Sequence, residues 1–170
     1  FNVKKIFFFL FFLFIAFNSN AETKLSFIDF KYLINESNSG KEINKLLIEL
    51  RKKENDKLKK IQEKLKKEEA DLKSKSNILS KEDREKKINS LKSSVNDYNN
   101  LKNKKEKEFN QKKTEYMNKL LKEINKIMIS YIEKNSIDIV IKKENLITGK
   151  KELDITEFIL EELNKKKISF

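Results

Sequence analysis

KEINKLLIELRKKENDKLKKIQEKLKKEEADL, residues 41–72, and KEDREKKINSLKSSVNDYNNLKNKKEKEFNQKKTEYMNKLLKEINKIMISYIEK, residues 81–134, decide the fold of this chain. In the first stretch Ile43, Leu47, Leu50, Leu58, Ile61, Leu65 and Leu72 recur at steps of three and four once Glu54 and Glu68 are counted as seam positions, and Leu47 and Leu58 stand eleven residues apart. In the second, Ile88, Leu91, Val95, Tyr98, Leu101, Phe109, Tyr116, Leu120, Ile124, Ile127 and Tyr131 keep the same rhythm. That spacing is the narrow apolar seam of a coiled coil, and the eleven-residue step predicts a local relaxation of its supercoil. Between the stretches the pattern breaks. Ser80 is followed three residues later by Asp83, which makes a capping box for the second helix. The simplest reading is a long antiparallel hairpin with its tip at residues 74–80. At 1.5 Å per residue the outgoing helix spans about 55 Å and the returning one about 80 Å. The excess of the return helix is expected to pack against helical turns at residues 30–35. Glu54 and Glu68 interrupt the first seam, and Lys105 and Lys112 the second, so the middle of the arm is expected to pack loosely and flex. Disorder is the competing expectation for so charged a segment. Sustained seam spacing, strong helix formers and missing breakers favour the helix.

Outward from this middle, both ends read as strand. Residues 24–30, KLSFIDF, and 137–141, IDIVI, are short and rich in β-branched or aromatic residues. Residues 37–40, SNSG, read as a turn that also supplies an N-cap. Residues 144–149, ENLITG, could pair with the second strand across Lys142 and Lys143. Asp154 with Glu157 reads as a second capping box, opening an amphipathic helix at 157–164. The expected fold class is therefore α+β: a long antiparallel coiled-coil hairpin (residues 41–134) projecting from a small β head (22–40 and 135–170). Phe27, Ile28, Ile137, Ile139, Val140 and Ile141 form the head strands. A head of about 55 residues buries too little apolar surface to stand easily alone. Pooling strands from several copies into a closed barrel would cover it and remove free edges.

The chain opens with Lys4 and Lys5, an apolar run at 6–17, and small residues ahead of Ala21. This is expected to be a signal peptide, residues 1–21, cleaved after Ala21, since twelve apolar residues fall well short of the roughly 20 that span a bilayer. The chain has no Cys and no His, which removes disulfides, thiol nucleophiles, imidazole bases and the usual metal ligands. No cofactor or metal is expected. The net charge of +12 is unevenly placed: residues 41–134 hold 28 basic against 17 acidic residues, a net +11, so the arm is cationic and the head nearly neutral. Only Arg51 and Arg84 are arginines among 39 basic residues, which is consistent with an A/T-rich coding sequence, so the field of the arm says more than any single lysine.

Phe27-Ile28-Asp29 with Leu33, then Ser37-x-x-Gly40-Lys41 and Leu46, resembles the N-terminal signature of the Skp/OmpH periplasmic chaperones. Tyr131, residues 137–141, Asn145-Leu146-Ile147, and Leu153-Asp154-Ile155-Thr156 with Ile159-Leu160 and Leu163-Asn164 resemble their C-terminal signature. The resemblance implies a homotrimer whose barrel head projects three hairpins around a cavity. It implies ATP-independent holding of unfolded outer-membrane proteins in the periplasm during their transit. The chain departs from better-known members in using almost no Arg, so no lipopolysaccharide-binding arginines are carried over.

On that reading, cationic arms steer acidic clients inward and sparse apolar residues outside the seam touch them weakly: Leu46, Ile48, Leu79, Leu121 and Met128. These residues could equally widen the seam or meet the head. The tip cluster Lys73, Lys75, Lys81, Arg84, Lys86, Lys87 and Lys92 is expected to meet clients or anionic lipid headgroups, or else to be a solvated helix turn. Catalysis is not expected, since carboxylates, lysines and hydroxyls lie on an exposed arm with no pocket to shift a pKa. Nucleic-acid binding is disfavoured by export and by the lack of an aromatic–basic platform. The alternative is a structural or adaptor coiled coil of the cell envelope without chaperone activity.

Overall fold

The computed structural model describes residues 23–170, so the expected signal peptide lies outside the described residues. In chain order the elements are β1 (Leu25–Ile28), α1 (Phe30–Glu36), α2 (Asn38–Ser74), α3 (Lys81–Asn135), β2 (Ile139–Lys142), short turns at Lys143–Asn145 and Lys151–Leu153, and α4 (Thr156–Asn164). The helices α2 and α3, 37 and 55 residues long, are about 55 and 80 Å in length. They pack antiparallel. Ser80 caps α3, its hydroxyl accepting the Asp83 N–H (3.1 Å) and donating to the Asp83 carboxylate (2.7 Å).

At the near end one serine serves two helices. The Ser37 N–H closes α1 on the Leu33 carbonyl (3.1 Å), and its hydroxyl opens α2 by accepting the Gly40 N–H (3.1 Å). Residues 38–40, expected as a turn, are therefore the first turn of α2. Ser37 is fully buried. Gly40 lies so close to the end of α1 that a Cβ there would press on the Ile34 carbonyl group.

The strand pair is parallel, Leu25 facing Ile139 and Phe27 facing Ile141. The other side of β1 meets residues 154–155: Phe27 bridges Asp154, and the Ile155 N–H donates to the Phe27 carbonyl (3.0 Å). So β1 is central and β2 is an edge. Four details depart from the sequence reading. Ile137 lies outside β2, because Ser136 turns left-handed (φ 52°) and the Ile137 N–H bonds back to the Ile132 carbonyl (3.1 Å), closing α3. Residues 144–149 do not pair with β2: Lys143 is drawn to Asp154 (3.3 Å) and Asp29 (3.8 Å), and the chain turns there instead. Asp154 is not the cap of α4. Ile155 holds that position, and the Asp154 carboxylate takes the N–H (3.0 Å) and hydroxyl of Thr156. The head end of α3 packs on α4 rather than on α1, with the Tyr131 and Phe158 rings 4.4 Å apart, while α1 lies against α2 and α4.

The core gathers Ile28, Leu33, Ile43, Leu47, Leu120, Ile124, Ile155, Ile159 and Leu163. Every element except β2 and the short turns contributes to it. The N- and C-terminal segments are joined by hydrogen bonds as well: the Asp29 N–H donates to Thr156 Oγ1 (2.9 Å), and the Asp29 carboxylate caps α1 at Tyr32 (2.9 Å).

Candidate interaction surfaces

The seam of the hairpin is sealed at its root and open beyond. Ile43, Leu47, Leu120 and Ile124 are buried, but Leu58, Ile61, Leu65, Leu72, Ile88, Leu91, Tyr98 and Leu101 are all only half-buried, and Val95 is exposed. The root is covered by α1 and α4; the distal arm consists of two helices alone. Leu65, Leu72, Ile88, Leu91, Val95 and Tyr98 consequently line a long open groove of about 770 Å³, edged by Lys66, Glu69 and Lys92.

A polar layer separates root from distal arm. Lys105 and Glu54, each an interruption of its own seam, face one another across the hairpin at 3.7 Å. Next to them Arg51 forms a two-pronged ion pair with Glu106 while its guanidinium stacks 3.7 Å from the centre of the Phe109 ring. The Glu106 hydrogen bonds hold Arg51 above its ordinary pKa, and Arg51 in turn holds Glu106 below the usual carboxylate range. Hydrogen bonding to Glu108, helped by the charge of Glu54, raises Lys105. Glu54 and Lys105 are thus complementary charges at one level and are half-buried, whereas Arg51 and Glu106 beside them are more exposed, and pairs open to water contribute little to stability.

The residues singled out in the sequence are scattered. Leu121 and Met128 pack against the core cluster. Leu46 and Leu79 are half-buried; Ile48 is 68% exposed. At the tip, Lys73, Lys75 and Lys86 pair with Glu69 (2.7 Å), Asp71 (2.6 Å) and Glu82 (2.7 Å) on their own helices. Lys81, Arg84, Lys87 and Lys92 have no such partner among the described residues. Ile78, 81% exposed amid these cations, is an apolar residue the pattern reading passed over. Its position in the broken stretch between seams could have found it, since a turn gives an isoleucine nothing to pack against.

On the head, Phe27 and Ile28 are buried, Val140 and Ile141 half-buried and Ile139 exposed. Among the described residues β2 has a strand partner on one side only, so its other edge presents unpaired backbone groups. Leu25, Tyr32, Ile147, Leu153 and Phe158 are also exposed, giving the head an apolar surface.

The chain matches the model of one protein family, outer membrane protein (OmpH-like), over residues 24–163. Among solved structures it is similar to a candidate outer membrane chaperone (OmpH-like) of Caulobacter crescentus CB15, with a TM-score of 0.80 at 16% identity, over 88% of this chain and 90% of that one. At that identity the likeness speaks for the fold. No curated protein matches the chain.

Proposed function

This chain belongs to the OmpH-like family of outer membrane proteins, and from that premise we propose that it is an ATP-independent periplasmic holdase for unfolded outer-membrane proteins. It is exported behind a cleaved signal peptide and works as a homotrimer. The observation that carries this reading is the half-open apolar groove along a strongly cationic arm. A coiled coil meant only to bridge two partners gains nothing from an unsealed seam. An arm that must offer many weak apolar contacts does.

The free edge of β2, with Ile139 exposed on it, and the other exposed apolar residues of the head support assembly, because pairing between copies would cover the edge. Three arms at about +11 each would then surround one volume. Their shared field steers acidic chains inward and keeps the arms apart. Groove residues, with Ile48 and Ile78, contact the apolar positions of the client. Each contact is weak and has no fixed geometry, so release needs no nucleotide. Cations at the tip offer a further contact to clients or to anionic headgroups. The family's chemistry is not catalytic, and no reaction is assigned.

The test is dilution of a denatured porin with and without the protein. One trimer per porin is expected to keep it soluble, with added salt weakening the capture because it screens exposed charge over about 10 Å at 0.1 M. Unchanged aggregation would refute the holdase reading and favour an envelope adaptor. Light scattering that finds a stable monomer would refute the assembly.

A further inference from the structure

Beyond α4 the chain runs KKKISF to residue 170, past the segment that matches the family. This tail does not trail into solvent. Ile168 and Phe170 pack against the core cluster while Ser169 between them is exposed. That is the side-chain alternation of an extended strand. The Phe170 ring meets Tyr116 of α3 edge-on, with centroids 5.8 Å apart, and Lys112 covers the same tyrosine at 5.6 Å.

The path is determined by its two ends. Lys166 lies beside Glu123, where its charge helps hold that carboxyl below the usual range, although Lys126 is the main cause. From Glu123 to Tyr116 is two turns of α3, about 10 Å. Four extended residues cover about 13 Å. Residues 166–170 therefore run along α3 from the head towards the arm, and Phe170 lies where the seam begins to open.

We propose that the face of α3 around Tyr116 is an acceptor for short extended segments of alternating apolar and polar residues that carry an aromatic. Residues 168–170 occupy it in cis, and the matching segment of an unfolded outer-membrane protein displaces them. The inference rests on the holdase reading for its client. Strands of outer-membrane barrels alternate apolar and polar residues along their length, so an unfolded barrel protein offers the Ile-Ser-Phe pattern many times over. The tail is a tethered stand-in. It keeps an aromatic shelf covered when no client is present and gives way because its own contact is small.

Two measurements on the full chain test this. Replacing Ile168 and Phe170 together by Ser is expected to lower the protein concentration needed to hold a denatured porin by about three- to tenfold, the size of one lost aromatic contact. A fluorescent peptide KKKISF is expected to bind that variant, to bind the parent more weakly, and to be displaced by porin. A KKKSSS peptide is expected not to bind. Phe170→Ala, which keeps Ile168, serves as a second variant should the double one melt early. If the parent holds client but the variants hold it no better, the proposal is overturned. A peptide that fails to bind also overturns it, as does one that only bridges two copies. A parent that holds no client refutes the holdase reading instead, and peptide binding then decides the shelf alone.

Discussion

Replacing Gly40 by Ala is expected to destabilise the protein by about 2–3 kcal/mol, against the intrinsic preference of its helix. Alanine inside a helix is favoured over glycine by about 1 kcal/mol, so local propensity predicts a gain. Packing opposes it. A Cβ at Gly40 would overlap the carbonyl oxygen of Ile34 outright, and would sit 2.8 Å from its carbonyl carbon and 3.0 Å from Ser37 Oγ, where carbon atoms prefer about 3.5–4.0 Å. The obstacle is backbone, so α1 must move. Overpacking of this kind costs about 1–3 kcal/mol. The shift also strains the buried Ser37 cap, which contributes about 1 kcal/mol, and pulls Leu33 away from the core. The losses outweigh the gain. For a chain of this size the melting midpoint should fall by roughly 5–10 °C, read by circular dichroism at fixed protein concentration so that assembly does not shift the comparison. A midpoint equal to or above the parent's would show that α1 and α2 do not touch as described.

Two further outcomes follow from the packing and the charges. Ile124→Ala, at the sealed root, should cost about 3 kcal/mol, but Leu65→Ala in the half-open distal seam about 1 kcal/mol or less; equal shifts in urea midpoint would mean the arm is sealed throughout. Asp154 resists burial, but the hydroxyl and N–H of Thr156, with Lys143, hold its carboxyl below the usual range. The unfolded chain thus takes up that proton first as pH falls. The contribution of Asp154 to stability is present at neutral pH and is lost as pH drops through its depressed folded value. Asp154→Asn should flatten the acid limb of the stability profile in urea titrations and leave neutral-pH slopes unchanged; an acid limb as steep as the parent's would refute this.

The long helical pair was legible because seam spacing persists over many turns, and the strand pair because IDIVI and KLSFIDF have little other use. The details of the head were not. Ser136 reads as an ordinary polar residue, yet its left-handed turn takes Ile137 out of the strand. Lys143 reads as one lysine among many, but its reach to Asp29 and Asp154 turns the chain away from β2. Asp154 presents a capping-box pattern, and only the position of Thr156, hydrogen-bonded also to Asp29, shows why Ile155 stands at the cap instead. Among the surface residues, Leu121 and Met128 are half-buried against a core cluster built from several elements, which the spacing of α3 alone cannot reveal. Three residues of alternation in the tail are too few to register as a pattern.

The parallel register of the two strands sets the order in which the head can form. Lys24 and Asp138, whose groups hydrogen-bond at the start of the sheet, stand 114 positions apart, and closing so long a free loop costs about 4 kcal/mol of chain entropy. Once α2 and α3 zip together from the tip, the free chain left to close is residues 24–37 beyond the root of α2, because the rest of α3 is already rigid helix, and about 2 kcal/mol of that cost disappears. The arm is therefore the jig on which the head is assembled. Its length is then open to change without disturbing the sheet, provided turns are added to or removed from both helices in equal number.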